Sequence, residues 1–114
     1  MTKREANLIL RRMHRQLRNG EVRTVLDRKI KDCCGSIDWP DGTMEIRLNP
    51  DAQSKGGIVS TFLHELLYAV FYDSKEGWIR RMEKELYEVL SDRQLTNLIR
   101  KGLWSIGKVR GKTE

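Results

Sequence analysis

One stretch constrains the fold more than any other. From Val59 to Phe71 the chain reads VSTFLHELLYAVF, in which Val59, Phe62, Leu63, Leu66, Leu67 and Val70 recur at helical spacing and form a wide apolar stripe. On an ideal helix His64 and Tyr68 lie about 40° apart, opposite that stripe, and Glu65 stands about 100° from His64 on the same polar side. Such a helix anchors one face in a core and offers the other to a cleft.

The flanking segments supply the core. Ala6, Ile9, Leu10, Met13 and Leu17 predict an amphipathic first helix that stops at Asn19-Gly20. Val22, Val25, Leu26 and Ile30 fit either a continued helix or a short strand. Ile37 and Trp39 alternate with polar residues before Pro40-Asp41-Gly42, and Met44, Ile46 and Leu48 alternate after it, which predicts a β-hairpin with one buried face. Ser54-Lys55-Gly56-Gly57 is a flexible joint before the central helix, and Asp73-Ser74 breaks that helix and caps the next. A third helix follows with Ile79, Met82, Leu86 and Val89, then a short fourth with Leu95, Leu98, Ile99 and Leu103. The fold class expected is α+β: an N-terminal helix, a small antiparallel sheet with a hairpin, and helices packed against it. One domain is expected over residues 1–106, with 107–114 a disordered basic tail.

Composition narrows the setting. No run of about 18 apolar residues exists, so no membrane span is expected, and the charged N-terminus lacks a signal-peptide pattern. Cys33 and Cys34 are adjacent and rarely close a relaxed disulfide, so reduced thiols in a cytoplasmic protein are expected. They are either small buried groups or a thiolate ligand. The net charge is +6, and Lys and Arg concentrate at both ends. Those ends are either solvated helix faces or a surface for nucleic acid. His14, among arginines, is expected to be exposed, and Trp39, Trp78 and Trp104 read as core or interface anchors.

The chemistry lies at His64-Glu65. A zinc peptidase uses two histidines four apart on one helix face to grip a metal ion, and a glutamate after the first as general base for the metal-bound water. Here His64 and Glu65 are present, and Tyr68 occupies the second ligand position. Leu63-His64-Glu65-Leu66-Leu67-Tyr68-Ala69 resembles the LHELLHA segment of small zincins, including SprT-like and minigluzincin-type proteins common in phages and bacteria. The hairpin Gly35–Trp39 with Met44–Pro50 looks like the strands that precede that helix, and Asp73–Met82 like the helix that follows. The resemblance covers roughly residues 33 to 90. It implies a zincin-like fold, a Zn2+ cofactor, a peptide or protein substrate held along an edge strand, and Glu76 as third ligand beside His64 and the residue at 68. Gly77 departs from the acidic pair that often opens that helix, and Glu76 has a plain alternative role at a helix N-terminus. With Tyr68 in place, three readings stand open: a weak hydrolase, a pseudo-peptidase that keeps the cleft without the chemistry, or a basic nucleic-acid-associated protein.

Overall fold

The computed structural model describes residues 1–30, 35–39, 43–51 and 57–113, with side chains as far as Gly102. Helix α1 spans Lys3–Arg18. Its start is a reciprocal cap: the Glu5 N–H donates to Thr2 Oγ1, and the Thr2 N–H donates to the Glu5 carboxylate, each at 3.1 Å. Gly20, at φ +74°, takes the left-handed turn that ends the helix region. Three strands follow, β1 (Val22–Leu26), β2 (Gly35–Asp38) and β3 (Met44–Leu48). The segment with two open readings is thus a strand, its inward positions Val22 and Thr24 buried in alternation.

The sheet order is β1-β3-β2, with β2 antiparallel and β1 parallel to β3. It is a mixed sheet, not the wholly antiparallel one expected. The short connection between β2 and β3 imposes an antiparallel pair, whereas β1 reaches β3 only through a long crossover, which permits a parallel one. β3 is the central strand. Ile46 and Leu48 are completely buried, and the register sets Thr24 and Ile37 beside Ile46 on the same inward face. The opposite face is polar. Glu45, only 6% exposed, accepts from Arg23 Nε at 2.8 Å and from Arg47 Nε at 2.9 Å. Arg47 also reaches Asp27 and Asp38 at 3.6 and 3.4 Å.

Helices α2 (Gly57–Val70), α3 (Glu76–Val89) and α4 (Asp92–Thr113) complete the chain. α2 runs against β2 and β3, and the approach is closest at Gly35, where a Cβ would meet Thr61 Cγ2 at 2.8 Å. Phe62, Leu63, Leu66, Leu67 and Val70 are buried as expected, joined by Thr61 and Ala69. Val59 is instead 36% exposed, since it stands in the first turn, before the helix runs over the core. Lys75, not Ser74, caps α3, and no side chain bonds its first turn; Ser74 is held in the preceding turn through its N–H to the Phe71 carbonyl. α4 is longer than the short helix expected. It opens on a Ser91–Gln94 box, and its backbone runs on through 107–113, where the sequence suggests a disordered tail. Among the described residues no helix is long and apolar enough to cross a membrane.

Candidate functional site

The burial of α2 leaves one strip facing outward. Ser60, His64, Glu65 and Tyr68 are all only partly buried, and α3 packs alongside them. Glu83, on α3, is the residue that organises the strip. One of its carboxylate oxygens accepts from the Ser60 hydroxyl at 3.0 Å, and the other faces His64 Nδ1 at 3.0 Å. Because a carboxylate can only accept, the proton sits on His64 Nδ1, and the lone pair of a neutral ring lies on Nε2. His64 is therefore fixed in rotamer and tautomer by a carboxylate partner, the arrangement that histidine ligands of metals commonly have.

Glu65 is held differently. Its carboxyl makes no hydrogen bond to any described residue. Burial pushes its carboxyl above the usual Glu range, the neighbouring His64 pulls it down, and Glu76 pushes it up. A carboxyl raised in this way holds a proton more readily than an ordinary glutamate. Its burial also has a measurable cost. A carboxyl whose pKa is raised on folding leaves stability intact below its unfolded value, and loses it as pH rises through the folded value. Glu65→Gln is neutral at every pH. The variant is therefore expected to melt with the parent near pH 4 and above it at pH 7, in paired thermal scans. A variant that loses stability relative to the parent as pH rises would remove burial as the dominant influence on Glu65.

Tyr68 stacks edge-on against His64, with ring centroids 5.0 Å apart and planes at 69°. Its hydroxyl bonds no described residue, so the Tyr68–Glu65 hydrogen bond that the sequence suggests is not formed among them. Burial raises its pKa further above 10, and Glu76 and Glu65 add to that, with Arg80 opposing. The environment thus works against the phenolate that metal binding needs. Glu76 lies near enough to act on both residues, yet its side chain is 58% exposed and pairs with Arg80 at 3.2 Å. That is the ordinary role of an acid in a helix's first turn.

The fold therefore brings His64, Glu65 and Tyr68 together, with Glu76 at the rim. Among the described residues no three His, Cys, Asp or Glu side chains are grouped to hold a metal ion. The donors present, one imidazole, a neutral phenol, the Glu65 carboxyl and a Glu76 carboxylate already paired with Arg80, do not fit a tight zinc centre. Cys33 and Cys34 lie outside the described residues, as does the side chain of Trp104. Trp78 is a core anchor, edge-on to Phe71 at 5.2 Å, whereas Trp39, at the end of β2, is 51% exposed. His14 is not exposed as expected but half-buried, because α4 packs over α1.

Glu83 is the functional residue that sequence reasoning missed. A signal was present: Glu83 stands four residues after Ile79 and three before Leu86, so it is an acid on the margin of the buried face of α3. Compared with known proteins, the chain stands apart. It matches no family model, no curated protein and no solved structure.

Proposed function

We propose that this chain is a zincin-like, metallopeptidase-derived protein that binds an extended peptide or protein segment beside α2 and β2, with its metal centre disabled at Tyr68. The observation that carries this reading is the Ser60–Glu83–His64 relay: it orients an imidazole and leaves Nε2 free, next to the raised carboxyl of Glu65. The phenol of Tyr68 supports the loss of the metal function, because it is held neutral. Zinc binding is accordingly expected to be weak, and we assign no hydrolytic step to the site.

The position of β2 supports the mode of binding. β2 pairs with β3 along one side and, among the described residues, no strand pairs with its other edge, which suits strand addition, where main-chain bonds give affinity and side-chain pockets give selectivity. Gly35 brings that strand onto the second turn of α2, at Thr61, close to His64 along the helix.

Amide chemical shifts of the labelled protein, recorded against a mixture of unstructured peptides, test the proposal. Saturable shifts are expected in β2 and the Ser60–Tyr68 turns, and they should persist in Glu65→Gln. Peptide cleavage that Glu65→Gln abolishes would replace the pseudo-peptidase reading with a working hydrolase. Shifts confined to other surfaces would remove the cleft from consideration.

A further inference from the structure

The packing of α1 against α4 creates two adjoining concavities away from the His64 strip. One, of about 540 Å³, is lined by His14, Asn97, Arg100 and Lys101. The other, of about 460 Å³, runs along α1 past Arg11, His14, Arg15 and Arg18. His14 belongs to both. Its Nδ1 is buried and has no hydrogen-bond partner, an uncommon state for a buried polar atom that invites a ligand or water.

The charge around it is one-sided. Arg23, Arg28, Arg47 and Arg80 each pair with a carboxylate. Arg11, Arg15, Arg18, Arg100 and Lys101 pair with none among the described residues, and no described acid lines either concavity. Clustering like charges costs free energy unless an anion relieves it. Arg11, Arg15 and Arg18 recur at helical spacing and extend over about 10 Å of helix. A compact anion would require these cations to converge on one point. They are instead strung along a groove, as a chain of phosphates requires.

We infer that the α1–α4 groove is a binding site for the phosphate backbone of nucleic acid, formed by Arg11, Arg15, Arg18, Arg100 and Lys101 around His14. The described lining is cationic and carries no aromatic side chain, so the contacts it can make are to phosphates rather than to base edges. The site is separate from the peptide cleft and does not rest on the reading given to it.

Fluorescence anisotropy of the full chain with a labelled 20-nucleotide single strand, and with the same sequence as a duplex, tests the inference. Binding is expected to weaken steeply with salt, with a log–log slope of roughly −2 to −4, as for a few neutralised phosphates. The double reversal Arg11→Glu/Arg15→Glu should reduce affinity by about tenfold or more, given a loss of several phosphate contacts. Arg81→Glu/Lys84→Glu, at exposed α3 positions, changes the net charge equally and should have little effect, and His64→Ala none. All four replaced cations are exposed, and circular dichroism of each variant checks that it is folded. Three results would overturn the inference: no saturable binding at low salt, equal losses in the two reversed pairs, or displacement by micromolar tripolyphosphate, which would mark a site for compact anions.

Discussion

Tyr68→His is expected to turn a chain that carries little zinc into one that carries about one zinc per molecule, the load of a single mononuclear site. The substitution completes the pair of imidazoles four apart on one face of α2. The ring it replaces already lies 5.0 Å from that of His64, so the new side chain starts beside its partner. Glu83 meanwhile holds His64 with Nε2 free. Structural zinc sites are worth roughly 10–16 kcal/mol over about four ligands, so one restored ligand contributes about 3–4 kcal/mol, or 10²–10³ in affinity. Elemental analysis of both proteins, purified without chelator, reads the result directly. Zinc in the variant alone would support a disabled site on an intact scaffold. Stoichiometric zinc in the parent would mean that Tyr68 is tolerated or binds the metal itself. Zinc in neither would sink the ligand assignment.

The second large effect concerns Gly102, in α4. Helix propensity alone favours alanine over an interior glycine by about 1 kcal/mol. Here, however, an added Cβ would overlap the Phe62 ring, coming within 2.7 Å of Cε1 and 2.8 Å of Cε2. Phe62 is 1% exposed, so the ring has no open space to enter. Overpacking of this kind costs about 1–3 kcal/mol or more. Gly102→Ala is therefore expected to lower Tm by several degrees, against the propensity trend. Phe62→Ala should cost about 3–5 kcal/mol. Phe62→Leu combined with Gly102→Ala should lose less than the two separate changes together, because the smaller side chain makes room for the methyl. A rise in Tm for Gly102→Ala would show that the ring yields freely and that α4 does not lock α2 at this point.

Some of this structure was legible in the sequence, and the reasons differ by element. α1 and α2 announce themselves through apolar spacing, and the β2–β3 pair through alternation around Pro-Asp-Gly. β1 was ambiguous because Val22, Val25, Leu26 and Ile30 satisfy a helical period nearly as well as an alternating one. Its parallel pairing with β3 could not be read at all, since strand order is decided by what the crossover can reach rather than by any local pattern. At the site, His64, Glu65 and Tyr68 were identified from one helix turn, and the fold does bring them together. Glu83 was not, because a carboxylate nineteen residues from His64 becomes its partner only when α3 packs against α2. His14 was misjudged for the same reason. Its neighbours in sequence are arginines, but its burial comes from α4.

The crossover between β1 and β3 also sets an order of assembly. Val22 meets Met44, 22 residues on in the chain, whereas Asp38 meets Glu45, only seven residues on. Loop closure must come before the longer pairing is rewarded. The β2–β3 pair is therefore expected to form before β1 joins it. Because β2 lies on α2 at Thr61, that early unit includes the strand that borders the His64 strip. On that order the strand expected to join last, β1, is the one farthest in the sheet from β2 and the His64 strip.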